Sequence, residues 1–335
     1  MSGASRRLHF PLTVTAAPDP DVVGPDMMAR LTGPQGSGLV SGLARARGLA
    51  VIPEHLAEVE VGGDVPVMLI GGAEDKVRDK LILSRFASFA GGPDGHVVVI
   101  ATASSLGDVA TERYRELFGD LGIGRVTGLR PEERSEAEDP GAAATLSDAT
   151  AVFLTGGNQL RLSSVVAGTR LADAIHRAHD RGAVLAGTSA GASAMATHMM
   201  AFGRAGETPK QRMAQLAAGL GVLHGVVIDQ HFEQRGRFGR LLAVVAQSPS
   251  LLGIGLDEDT SAIVYADRSM EVVGKGAVTV LDGSRVQTDA HQAKGHRPIL
   301  VSGAVVHALP DGSWFDLRAR TLLAEAPGEE REASE

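Results

Sequence analysis

Four short apolar runs, each closing on small or polar residues, constrain this chain more than any other feature. They are VPVMLIGG from Val65, HVVVIATAS from His96, AVFLTGG from Ala151 and AVLAGTSAG from Ala183. Stretches with helical spacing separate or follow them, at Asp75–Phe89, Ala110–Leu121, Gln159–Val166 and Leu171–Arg181. Strands that alternate with helices predict an α/β layer fold built on a mainly parallel sheet. Ligands of such folds bind outside the carboxyl ends of the strands. Gly71-Gly72, Gly156-Gly157 and the segment 187–191 are therefore expected to crowd one edge. Further on, VLHGVVIDQHFEQRGRFGRLLAVVAQ reads as a strand ending at Asp229-Gln230-His231 and a helix carrying Arg235, Arg237 and Arg240. The stretch from Leu251 to Gly283 reads as β-hairpins with acidic or glycine turns.

The rest of the chain frames this pattern. Residues 1–64 are rich in Gly, Pro and Ala, with a possible short element at Leu39–Ala50, and are expected to form a partly ordered extension. The catalytic domain is expected over 65–323, and the charged tail 324–335 is expected to be disordered. A net charge of −8 argues against a general nucleic-acid binder. With no cysteine among 335 residues, disulfides, thiolate-bound zinc and cysteine nucleophiles are excluded. No stretch is long and apolar enough to cross a bilayer. The first 20 residues do not read as a secretory signal, so the expected location is cytoplasmic.

The chemistry centres on Gly187-Thr188-Ser189-Ala190-Gly191. An apolar run before it and a helix-favouring stretch after it give the strand–turn–helix layout in which G-x-S-x-G presents a serine nucleophile. A side chain at either flanking glycine would collide with the neighbouring strand or helix. The backbone N–H of Ala190, at the helix start, is a natural oxyanion donor, and Gly157 could supply a second. The alternative for Gly156-Gly157 is an ordinary βα turn. A nucleophilic serine needs a base. Of the 11 histidines, His231 ends an apolar strand at the expected edge, whereas His176 and His179 read as surface residues of a helix. Two acids compete to orient it. Glu207 lies in the polar loop GRAGETPKQR, and Glu258 follows the GIGL strand, where a rigid element favours it. Its neighbours Asp257 and Asp259 are expected to point away. Arg235, Arg237 and Arg240, with Arg161, suit a substrate with repeated carboxylates, although a solvated helix face is the usual explanation for three arginines within six residues. Glu74 and Asp75 could meet cationic groups.

Five segments then carry a resemblance: GGAEDK (71–76), TGGNQ (155–159), GTSAGASAM (187–195), IDQHFEQRGRFGRL (228–241) and GIGLDEDT (253–260). In matching order from about Val65 to Gly283, they resemble the cyanophycinases of the S51 serine peptidase family. The resemblance implies a class I glutamine-amidotransferase-like, flavodoxin-like α/β fold with serine in place of cysteine, commonly a homodimer. It implies hydrolysis of cyanophycin, a polyaspartate chain bearing arginine on each β-carboxyl, with release of β-Asp-Arg dipeptides and no metal or organic cofactor. Ser189 matches the nucleophile and His231 the base. Gln159, Asp229, Gln230, Arg235, Arg237 and Arg240 match the pocket residues, and both Glu207 and Glu258 stay open as the acid. A dipeptidase of the same family and a non-catalytic binding protein are the alternatives.

Overall fold

A computed structural model describes residues 65–327, together with the backbone of two three-residue strands, Leu12–Val14 and Ala29–Leu31, which pair antiparallel. Contacts divide the chain into two units, residues 1–61 and 62–335. Most of the expected N-terminal extension, including Leu39–Ala50, and the last eight residues of the acidic tail lie outside the described residues.

The apolar runs become strands. In chain order these are β1 (Val67–Ile70), β2 (His96–Ile100), β3 (Arg125–Leu129), β4 (Ala151–Leu154) and β5 (Val184–Thr188). They pair in parallel in the order β1-β5-β4-β2-β3. Successive side chains of a strand point to opposite faces, so each run feeds two cores. Val98, Ile100, Val152, Leu154 and Leu185 join one cluster, while Val97, Val99, Phe153, Val184 and Ala186 join the other. The connecting helices α1 (Leu81–Phe89) and α2 (Asp108–Asp120) bring Phe86 and Phe118 against Phe153, at ring-centroid distances of 5.4 and 5.2 Å. The opposite core holds Leu162 and Val166 of α3 (Gln159–Val166), and Leu171 and Ile175 of α4 (Arg170–Asp180). His179 of α4 is buried, with its Nδ1 2.9 Å from the Ala183 carbonyl, and so is not the surface residue expected.

The sheet is not parallel throughout. From Glu258 onward the chain returns as β10 (Thr260–Val264) and β11 (Ser269–Gly274), which extend the β1 edge antiparallel, followed by two short strands at Trp314–Asp316 and Thr321–Leu323. A hairpin of β6 (His198–Gly203) and β7 (Ala214–Ala218) leads to a second sheet. In it, β8 (Val226–Gln230) and β9 (Leu252–Leu256) run parallel with Gln230 opposite Leu256, so the residues following each strand end emerge side by side. β12 (Ala277–Asp282) and β13 (Val305–Pro310) complete this sheet antiparallel. Two short helices, Arg134–Ala137 and Pro140–Ala144, lie between β3 and β4, and the helices that border the site are α5 (Ala190–Ala194), directly after β5, and α6 (Phe238–Gln247), after β8.

Two helical expectations shift. The first helix starts at Leu81 rather than Asp75, because the Asp75 carboxylate accepts hydrogen bonds from the N–H groups of Val77, Arg78 and Asp79 in a tight turn. Arg235 and Arg237 precede α6 rather than riding on it; only Arg240 is helical.

Candidate active site

The two sheets meet where β1, β5, β8 and β9 end, and glycines make the approach possible. A Cβ on Gly71 would lie 1.9 Å from the Asp257 carbonyl oxygen, and one on Gly72 would lie 2.4 Å from Cε1 of His231. Backbone bonds fix the junction: the Ser189 N–H donates to the Ile70 carbonyl at 2.9 Å, and the His231 N–H donates to the Gly71 carbonyl at 2.9 Å. Ser193 of α5 donates its hydroxyl to the Ile228 carbonyl of β8 at 2.8 Å.

Ser189 stands between β5 and α5 with φ 52° and ψ −109°, a conformation seldom adopted by a residue with a side chain. The flanking glycines permit the turn. A Cβ on Gly187 would come within 2.5 Å of the Gly191 carbonyl carbon, and one on Gly191 within 2.3 Å of the Leu154 carbonyl oxygen. The turn aims Ser189 Oγ at Nε2 of His231, 2.9 Å away. On the other side of the ring, Nδ1 lies 2.7 Å from Oε1 of Glu258. A carboxylate can only accept, so this bond places the proton on Nδ1 and leaves Nε2 to accept from the serine hydroxyl. Burial lowers the imidazole pKa from its ordinary 6.5; the hydrogen bond to Glu258 opposes this, and the cationic Arg235 and Arg237 add to it. The neutral ring required of a base is thereby favoured.

Glu207 is not at the imidazole. It is exposed in the loop after β6 and lines a separate cavity of about 220 Å³ with Arg204, Lys210 and His296. Glu258 is held by the Gln234 side chain, whose Oε1 accepts from the Glu258 N–H at 2.9 Å. Its neighbours turn elsewhere, as expected: Asp257 accepts from the N–H groups of Glu233 and Ala277, and Asp259 from that of Asp75. Gly156 lies beside the serine, where a Cβ would be 3.3 Å from Ser189 Cβ, and Gly157 adopts φ 141° close to the Ala103 carbonyl. Ala190 is buried at the start of α5.

The arginines divide. Asp229 is fully buried and accepts from Nε of Arg240 at 2.6 Å, from a second Arg240 nitrogen, and from Arg237 at 3.3 Å. Arg240 also donates to the Gly203 carbonyl, so it serves as an internal tie. Arg237 donates to the carbonyl and side chain of Gln230, and burial holds its guanidinium pKa down to about 10. Arg235 is exposed, with its N–H bonded to the His231 carbonyl. Gln159 spends its amide nitrogen on the carbonyls of Met200 and Ala201. Arg161 follows Gln159 on α3 and lies 3.5 Å from the Ser104 carbonyl. Glu74 is buried, which removes it from the exposed acids expected to meet cations. Gln234 carries no expected role and Gly72 only a place at the expected edge, yet both shape the site. For Gly72 the available signal was its place in a glycine pair at a strand end; Gln234 offered none.

Comparison with known proteins places this geometry in context. Residues 67–273 match the model of peptidase family S51. A second match, to the MoeA C-terminal region (domain IV), spans residues 21–70, almost wholly outside the described residues. The chain is 38% identical to a cyanophycinase of Geminocystis herdmanii over 260 residues, covering 77% of this chain and 96% of the relative. It is 40% identical to a cyanophycinase of Trichormus variabilis over 259 residues, covering 77% and 87%. Among solved structures, a peptidase from an acI-B1 Actinobacterium superposes with a TM-score of 0.54 at 21% identity, over 73% of this chain and 99% of that one, a likeness of fold.

Proposed function

The chain belongs to peptidase family S51, and from that premise we propose that it is a cyanophycinase, a serine-type exopeptidase that cuts the polyaspartate backbone of cyanophycin and releases β-Asp-Arg. The observation that carries the mechanism is the unbroken hydrogen-bond chain from Ser189 through His231 to Glu258. His231 Nε2 takes the hydroxyl proton as Ser189 Oγ attacks a backbone carbonyl carbon. The resulting oxyanion lies near the N–H groups of Ala190 and Gly157. The C–N bond then breaks, and the leaving amine of β-Asp-Arg receives the proton from His231. Water, deprotonated by the same nitrogen, hydrolyses the acyl ester and restores the serine. Glu258 holds the tautomer and stabilises the imidazolium.

Substrate recognition is assigned chiefly to Arg235, exposed one turn beyond the base, as the contact for a substrate carboxylate. Asp229, Gln230, Arg237 and Arg240 support that turn from within, and Gln159 anchors α3 to β6. Among the described residues no helix is long and apolar enough to cross a membrane. A cytoplasmic homodimer is part of this reading, without nucleic acid as a partner. Light scattering is expected to give about twice the 34.7 kDa chain mass.

The test is incubation of the purified protein with insoluble cyanophycin and mass spectrometry of the supernatant. β-Asp-Arg is the expected product. Cleavage confined to short Asp-containing peptides would move the chain to a dipeptidase role, and no cleavage of either would support a binding protein.

A further inference from the structure

Glu74 follows the two glycines at the end of β1, is 4% exposed, and takes no part in the mechanism above. A carboxylate buried this deeply requires partners, and it has three. Oε2 accepts from the Thr188 hydroxyl at 2.6 Å, while Oε1 accepts from the Tyr114 hydroxyl at 2.9 Å and from Lys76 Nζ at 2.6 Å. Tyr114 in turn packs on Phe153 of β4 with ring centroids 4.8 Å apart, so the carboxylate is braced by the aromatic core.

Thr188 is what gives this cluster a bearing on chemistry. It is the last residue of β5 and is joined directly to Ser189, whose backbone is held at φ 52° and ψ −109°. Strained backbone persists only where the surroundings over-determine it. The end of β1 and the residues after it do this from two sides. Ile70 and Gly71 accept the N–H groups of Ser189 and His231, and Glu74 grips the side chain just before the nucleophile. We propose that Glu74 is a positioning residue, acting through Thr188 to fix the peptide from which Ser189 Oγ is aimed at His231 Nε2. This rests on the serine-hydrolase reading of the site. A carboxylate that served only the core would affect stability; one that aims the nucleophile affects turnover.

Thr188→Val keeps the shape and removes the hydroxyl, whereas Thr188→Ser keeps the hydroxyl. Both are compared with wild type for kcat and KM on cyanophycin, for melting temperature, and for the rate at which a fluorophosphonate modifies Ser189. Glu74→Gln is the second variant, in which the carboxamide presents its NH₂ to donors. In Thr188→Val, kcat and the rate of Ser189 modification are both expected to fall about 10–100-fold with KM within about twofold, the scale set by roughly ångström misplacement. Thr188→Ser is expected to recover most of that loss, and Glu74→Gln to share the kcat defect. The proposal is overturned if Thr188→Val matches wild type in both rates, or if Thr188→Ser is equally impaired. If wild type releases no dipeptide but Ser189 modification still slows in Thr188→Val, the substrate assignment fails and the positioning role stands. Wild type inert to both overturns the two together.

Discussion

His231 sits among charges of both signs, and its protonation sets the acid limit of any reaction that uses Ser189 as nucleophile. Because burial lowers its pKa from 6.5, with Arg235 and Arg237 contributing, the acid limb of kcat/KM is expected below pH 6.5. The sign extends to Arg235→Gln: removing a repelling cation favours the imidazolium, so the limb moves to higher pH, and a shift downward would contradict this placement. Linkage runs the same way. A depressed folded pKa means that the neutral ring contributes stability above its unfolded pKa, and that contribution is lost as pH falls through the folded value. The two candidate acids separate by substitution. Glu258→Gln replaces the acceptor that fixes the tautomer and is expected to lower kcat about 10³–10⁴-fold. Glu207→Gln, on an exposed loop away from the imidazole, is expected to leave kcat within about twofold, as in most surface substitutions. The reverse ranking in steady-state kinetics would return the role to Glu207. Arg240 belongs to stability: Arg240→Met strips the buried Asp229 of its closest partner, and chemical denaturation is expected to show a loss of about 3–5 kcal/mol.

At the scale of elements, the strand ends carried the information. Runs such as VVVI and AVFL could be read because they are apolar throughout, and the glycines after runs such as AVFL mark places where backbone must come close to backbone or to a ring. Gly72 illustrates this. Its φ of 102° and the 2.4 Å gap a Cβ would leave to the imidazole predict that Gly72→Ala displaces His231. The expected outcome is a fall in kcat of at least about tenfold with the fold intact by circular dichroism. What local pattern hides is partnership at long range. Arg240 looks like one of three equivalent arginines until β8 places Asp229 beneath it. Glu74 looks like a surface acid until Tyr114 and Thr188, 40 and 114 residues along the chain, close over it. The pairing of Glu258 with His231 was legible because each follows a strand, and β8 and β9 prove to be parallel neighbours. Two helices start later than the spacing predicts, at Leu81 rather than Asp75 and at Phe238 rather than before Arg235, for a related reason. Side-chain capping by Asp75, and the turn from Phe232 to Gly236, interrupt stretches whose composition suits a helix.

The whole molecule brings one residue from a mixed sheet, at the end of a parallel strand, to two residues from a second sheet. Ser189 is held at the end of β5, whereas His231 and Glu258 follow β8 and β9, and the junction is secured by Gly71, Gly72 and the β1 carbonyls. Such an assembly works as a unit, so its members are expected to be non-additive. Initial rates of β-Asp-Arg release from insoluble cyanophycin, compared for wild type, Ser189→Ala, His231→Ala and the double variant, test this most directly. The account predicts that each single variant loses nearly all activity and that the double variant is no worse than either. Dipeptide release by Ser189→Ala at a rate near that of wild type would contradict it.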